Sequence, residues 1–453
     1  MTSGERRVRR ADLLAAAVGI LLVTAAAVIG TLIQRANGSL HVNWPPLYAS
    51  WFPHLGPGTP AALTAAVLVI AYGPPLAARL PWRALVLTSW LAAMAWTWSL
   101  ALIDGFGTGI AGRLTTSYEY LTVIRRFDHL GPALRDFTHH ILLHHGPDSW
   151  PAHVAGHPPA AVLTFVGLDR IGLGGGAWAG VWCLTLGTSA AAAVLVALRS
   201  LTDEPTARRA APFLVLAPAA VWVGTSADGY FAAVAAWALA LLTLAATRSV
   251  RAPAAAALAA GLLFGLTCYL SYGLTLVALI AAAILLMSRT LRPLPLFLAG
   301  AAAVAAAFTL AGFDWWEGYR LLVERYYQGA AAVRPYAYWI WANLACTVLI
   351  TGLATVAGLR RTLAAAPPAL RRLRRLPGTA ADRQVLLTLA ALAALLAADL
   401  SGMSKAETER IWLPFAVWLL PAAALLPAAR HRHWLTAQAA LALVINHLLY
   451  TGW

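Results

Sequence analysis

Long apolar runs separated by short polar stretches set the pattern of this chain. The runs cover approximately residues 11–33, 61–80, 84–104, 177–198, 211–225, 229–247, 253–268, 270–288, 293–312, 338–358, 384–400, 411–428 and 434–450. A helix needs roughly 17 to 25 mostly apolar residues to cross a hydrocarbon core, and it keeps its backbone hydrogen bonds to itself while doing so. The pattern predicts an all-α, polytopic membrane protein, with about 13 transmembrane helices in one integral membrane domain spanning 1–453.

Composition agrees, since 60% hydrophobic and 11% charged residues with a mean hydropathy of +0.69 exclude a water-soluble domain of this length. Arg6, Arg7, Arg9 and Arg10 precede the first run. That run is longer than the apolar region of a secretory signal and no clear small-x-small cleavage site follows, so it is read as an anchor. Cys183, Cys268 and Cys346 all fall inside runs, which suggests neither a disulfide framework nor a thiolate metal site.

Basic residues mark cytoplasmic loops, and a cytoplasmic N-terminus places 22 of the 33 Lys and Arg inside. The acidic residues do the reverse, with 13 of 18 at or near the outer face. The formal +15 therefore divides into +17 inside and −2 outside. This dispersal over short loops beside anionic lipid argues against nucleic acid as a partner, despite a pI near 10.4. The densest cluster, Arg371, Arg372, Arg374 and Arg375, lies in a basic cytoplasmic loop at 359–383.

Three predicted outer segments, 34–60, 105–176 and 313–337, are too long for simple turns, and long loops of this kind tend to carry function. The segment 105–176 is expected to be an extracytoplasmic catalytic loop. It holds Tyr118-Glu119-Tyr120, Asp128, histidines 139, 140, 144 and 145, and then His153 to His157-Pro158-Pro159. The apolar stretch from Ala160 to about Ile171 is too short to span and reads as an interfacial helix.

The order of these parts resembles the GT-C superfamily of membrane glycosyltransferases. Glu119 followed by His157-Pro158-Pro159 is similar to that superfamily's outer-loop carboxylate and its His-Pro-Pro-like element. Thr225-Ser226-Ala227-Asp228 is similar to its later Ser/Thr-x-Asp, and Arg410-Ile411-Trp412-Leu413-Pro414 to its Arg-Tyr-x-x-Pro-like late element. Within the superfamily the Ala/Arg-rich composition and the stretch Lys405 to Pro414 resemble actinobacterial transferases of methylthioxylose. Two departures stand out: two apolar runs precede the carboxylate loop, and the first outer segment has Asn43 where an acidic residue is expected. The resemblance implies a polyprenyl-phosphate-linked sugar donor, a glycan or lipid acceptor, and an active site on the extracytoplasmic side of the plasma membrane. It implies no cofactor beyond a divalent cation, which some members hold with carboxylates.

Glycosyl transfer from a lipid phosphate needs a base for the acceptor hydroxyl and cations for the departing phosphate. Glu119 is the candidate base and Asp128 the reserve. Lys405, the only lysine beside 32 arginines, joins Arg410 and Arg334 as candidate phosphate ligands. Tyr118, Tyr120, His153, His157, Asp228, Glu407 and Glu409 are candidate substrate contacts. Asp228 alternatively caps a helix with Ser226. His140 and His144 at i, i+4 could start a metal site, although no metal ligand set is assigned. A transporter or lipid-linked-sugar flippase is the rival class; such proteins show repeats, broken helices and midplane charges. A non-catalytic member of an envelope assembly is the third reading.

Overall fold

The computed structural model describes residues 3–224, 226–375 and 378–452. Each of the 13 apolar runs is largely helical among the described residues. Among the described residues seven helices are long and apolar enough to cross a membrane, or up to 10 if each bent pair counts as one span. The protein is all-α but for one small sheet, and polytopic by the length and composition of its helices.

The difference from 13 independent spans has local causes. Tyr336–Thr351 and Leu353–Arg372 meet at 113° where Gly352 takes φ 83°, a conformation closed to most L residues. Leu413–Leu425 and Ala428–Leu448 meet at 109° across Pro427, which cannot continue the ladder. Leu294–Leu310 turns by 77° into Trp315–Tyr327 through Gly312 at φ 97°, and Asp314 caps the second helix by accepting from Trp316 and Glu317. The run 211–225 is split into Glu204–Val215 and Ala220–Val223, with Pro218 between them. The run 270–288 is a shorter apolar helix.

The segment 105–176 is a folded unit of short helices. Phe127, Phe137 and Trp150 form its core, with the Phe127 and Trp150 rings stacked at 5.5 Å. The Trp150 indole donates to Phe137 O at 2.8 Å, and Arg126 lies over the same indole at 3.6 Å. Aromatic burial of this kind gives a segment a core of its own. Ala160–Arg170 is helical as expected, but it buries Ala161, Phe165 and Val166 against protein. That face is packed, while Gly167, Asp169 and Arg170 are exposed.

The basic segment 359–383 also differs from the expected loop, because helix Leu353–Arg375 runs through most of it. Arg372 then pairs with Asp382 at 2.6 Å, and Asp382 completes a capping box with Thr379. The sheet consists of β1, Ala49–Trp51, antiparallel to β2, Leu449–Thr451. It ties the first predicted outer segment to the last helix, and Arg113 reinforces it by donating to Thr451 O.

Candidate functional site

Four stretches distant in sequence converge on Arg410. It lies in the short helix Thr408–Ile411, buried, with Nη1 donating to Asp228 Oδ2 at 2.6 Å and Nη2 to Glu407 Oε2 at 2.8 Å. Nη2 also faces His153 Nε2 at 3.0 Å, and His153 Nδ1 faces Glu119 Oε1 at 2.8 Å. A guanidinium has only donors, so Nε2 of His153 accepts and its proton sits on Nδ1, donated to Glu119. The result is a continuous line from Arg410 through an imidazole to a carboxylate.

Local structure aims each member. Glu119 is the extended residue that starts the 3-10 helix Tyr120–Phe127. His153 lies in the turn Ala152–Ala155, and its N–H donates to Tyr118 O. Asp228 sits in the first turn of Ala227–Thr247. Its carboxylate turns to Arg410 while Ser226 Oγ donates to Trp222 O, so the pair does not act as a side-chain cap. Ala406 and Glu407 take φ 75° and 64°, left-handed values that cost energy in non-glycine residues and recur at functional sites. This turn brings Glu407 back onto Arg410. Asn343 braces the loop, donating to Asp399 Oδ1 at 2.9 Å and Ser404 O at 2.7 Å.

Glu407 faces a second guanidinium, with Oε1 3.7 Å from Arg334 Nη1. Burial alone would raise the Glu407 carboxyl, but Arg410 and then Arg334 hold it below its ordinary value. Glu409 has no such neighbour on its oxygens. Burial pushes it up to about 7, against the pull of the Tyr48 N–H, which donates to Oε1 at 2.8 Å. Burial likewise lowers His157 to about 4, so that its imidazole is neutral. Its Nδ1 faces His153 O at 2.7 Å and the Tyr120 hydroxyl at 3.1 Å, steadying the turn that carries His153.

Glu119 Oε2 and Glu409 Oε2 are both buried without a hydrogen-bond partner among the described residues. Glu119 as a whole is 4% exposed. Buried polar atoms are satisfied in the great majority of cases, so Glu119 retains an unused acceptor position.

The structure thus brings together Glu119, His153, Asp228, Glu407, Arg410 and Arg334, with Tyr120 and His157 adjoining. It does not bring the others in. Asp128 is exposed at the end of the Tyr120–Phe127 helix, its carbonyl accepting from Arg170, because that helix turns it away from Glu119. The Tyr118 side chain is exposed and only its backbone enters the site. The Lys405 ammonium donates to Ala331 O at 3.0 Å and lies 5.2 Å from the Tyr327 ring, while its carbonyl accepts from Arg334. Lys405 therefore shapes the loop that carries Glu407. Thr225 lies outside the described residues. Pro159 is the residue just before Ala160–Arg170 and not inside its first turn.

The histidine group does not share a helix face, because Leu142 is extended between His140 and His144. His140 Nε2 instead pairs with Asp136 Oδ2 at 2.8 Å. Among the described residues no group of three or more His, Cys, Asp or Glu could hold a metal ion. Asp228 and Glu407 are turned to Arg410, so the residues present do not form a cation site. Sequence reading missed Tyr48 and the carbonyls of Leu40 and His41, which accept from Arg334. Backbone groups leave no trace in a motif.

No family model and no curated protein matches the sequence. Among solved structures the chain is similar to the Archaeoglobus fulgidus oligosaccharyltransferase in a crystal structure with Zn and sulfate. The TM-score there is 0.47 with 16% identity over 79% of this chain and 51% of that one. The apo form of that protein gives a TM-score of 0.46 and 14% identity over 79% of this chain and 54% of that one. The archaeal oligosaccharyltransferase AglB from Archaeoglobus fulgidus, in complex with an inhibitory peptide and a dolichol-phosphate, gives 0.41 and 14% over 75% and 50%. The chain spans about half the length of these structures. Similarity of this extent assigns neither activity nor residue roles.

Proposed function

We propose that this chain is an integral membrane glycosyltransferase. It moves a sugar from a polyprenyl-phosphate donor to a cell-envelope glycan or lipid acceptor on the extracytoplasmic face. The observation that carries the reading is the Glu119 carboxylate, with one oxygen held by His153, itself held by Arg410, and the other buried and unmet. In the reaction Glu119 takes the proton of the acceptor hydroxyl. The freed oxygen forms a bond to the anomeric carbon, and the bond from that carbon to the phosphate oxygen breaks, its electron pair leaving with the phosphate.

Glu407 supports a place for the phosphate. Its two oxygens stand toward two guanidinium groups, Arg410 and Arg334, the arrangement a phosphate would take. Glu407 is the more exposed partner of Arg410, at 21% against 6% for Asp228, so the phosphate displaces Glu407 while Asp228 stays in place. Lys405 supports this site through its backbone. No step is routed through a divalent cation. The finer likeness to methylthioxylose transferases rests on sequence alone, and the choice between pentose and hexose is left to assay.

The test is transfer of radiolabelled pentoses and hexoses from polyprenyl phosphate by the purified full chain in lipid nanodiscs. Removing general-base help costs roughly 100- to 10,000-fold, so Glu119→Gln should lose activity on that scale with its melting profile retained. Asp128→Asn should keep activity near that of the unaltered chain. A dead Asp128→Asn beside an active Glu119→Gln overturns the base assignment. Movement of the lipid-linked sugar across proteoliposomes without a new glycosidic bond overturns the enzyme reading in favour of transport.

A further inference from the structure

A pocket of ≈ 190 Å³ opens beside the charged network, lined by residues of the first predicted outer segment and the end of the chain, among them His41, Asn43, Tyr48, Ser50 and Tyr450. Its walls are the two strands. Ser50 and Tyr450 are cross-strand partners, Asn43 Nδ2 donates to Ser50 Oγ at 3.1 Å, and Gly452 N donates to Tyr48 O at 3.2 Å. Trp44 and Trp51, both exposed, stack at 5.1 Å in the same segment.

Two members of the charged network hold this pocket in place. Arg334 donates to the carbonyls of Leu40 and His41, and Glu409 accepts the Tyr48 N–H. The Tyr48 hydroxyl lies within the field of Glu407, Arg334 and Arg410. The backbone that forms the pocket wall is therefore anchored by Arg334 and Glu409.

The lining says what fits. No Lys, Arg, Asp or Glu is among the lining residues, and Arg113, which lies over the Tyr450 ring at 4.5 Å, is paired with Asp104. An amide, a serine hydroxyl, two phenols and an imidazole offer both donors and acceptors, and the phenols and the imidazole supply rings as well. That combination suits a ligand that is neutral, rich in hydroxyls and flat on one side. We infer that this pocket is a binding subsite for an uncharged sugar ring, formed by β1, β2 and the residues before β1. The inference rests on the glycosyltransferase reading for its place in the reaction, and the ring belongs either to the donor or to the acceptor.

Protection of an engineered thiol separates these sources. The native cysteines are buried or partly buried, so N-ethylmaleimide modification of an Asn43→Cys chain, followed at that position by mass spectrometry, reports on the pocket. Methyl glycosides of hexoses and pentoses that slow the reaction several-fold assign the subsite to an acceptor sugar. Protection by a polyprenyl-phosphate sugar alone assigns it to the donor. Protection by sugar-free decaprenyl phosphate, or by none of these, overturns the inference. Ser50→Cys serves as a second position, and agreement of the two excludes distortion by either change. The outcome is independent of the base assignment: protection retained in a Glu119→Gln background with transfer intact would sink the catalytic role of Glu119 and leave the subsite standing.

Discussion

At the scale of single residues, the two glutamates next to Arg410 are in opposite electrostatic situations. Glu407 gains two guanidinium neighbours and stays ionised, whereas Glu409 is buried against one backbone N–H and is pushed up to about 7. A carboxyl raised above its ordinary value of 4.5 favours folding in its protonated form. Its contribution is complete below that ordinary value and is lost as pH rises through the folded value. The melting temperature of the unaltered chain in detergent, relative to Glu409→Gln, should therefore fall as pH rises from about 5 to 8. A difference that stays level over this range would show that Glu409 is not buried as described. The surrounding motif residues were legible in the sequence, but which glutamate carries the guanidinium was not. That depends on the left-handed turn at Ala406 and Glu407, which no propensity predicts for alanine and glutamate.

At the scale of elements, close helix contact comes from small residues. Helices Pro253–Leu270 and Leu294–Leu310 approach so nearly that a Cβ on Gly261 would lie 2.0 Å from Phe297 O, and one on Gly300 2.5 Å from Leu258 O. Gly261 and Gly265 are four residues apart on one face, the small-xxx-small arrangement by which helices associate where lipid replaces water. Backbone cannot yield as a side chain can. Gly261→Val should thus destabilise the protein by about 1–3 kcal/mol or more, seen as a lower melting temperature in detergent. Gly273→Val is the control, since nothing lies within 4 Å of a Cβ there. Equal melting of the two variants would refute the close contact. Helix existence was plain from the apolar runs, whereas the three sharp bends were not, because a glycine or proline in a run signals a break without giving its angle.

At the scale of the whole molecule, charge separation gives a testable orientation. A cytoplasmic N-terminus places Arg251 inside and Asp136 outside, both exposed. In intact cells a membrane-impermeant thiol reagent should therefore label Asp136→Cys directly and Arg251→Cys only after permeabilisation; the reverse pattern would invert the topology and move the proposed site to the cytoplasm. The sequence by itself determined the solvent, the helical class and the segments rich in chemistry, because apolar length and charge are properties of contiguous residues. It also singled out Glu119, His153, Asp228 and Arg410. Only the tertiary structure decided that these four form one line of hydrogen bonds, that Asp128 and the Lys405 ammonium stand outside it, and that β1 and β2 enclose a polar pocket beside it. Those are contacts between residues up to several hundred positions apart, many through backbone groups, and such contacts are fixed by packing and by the need to satisfy buried charge.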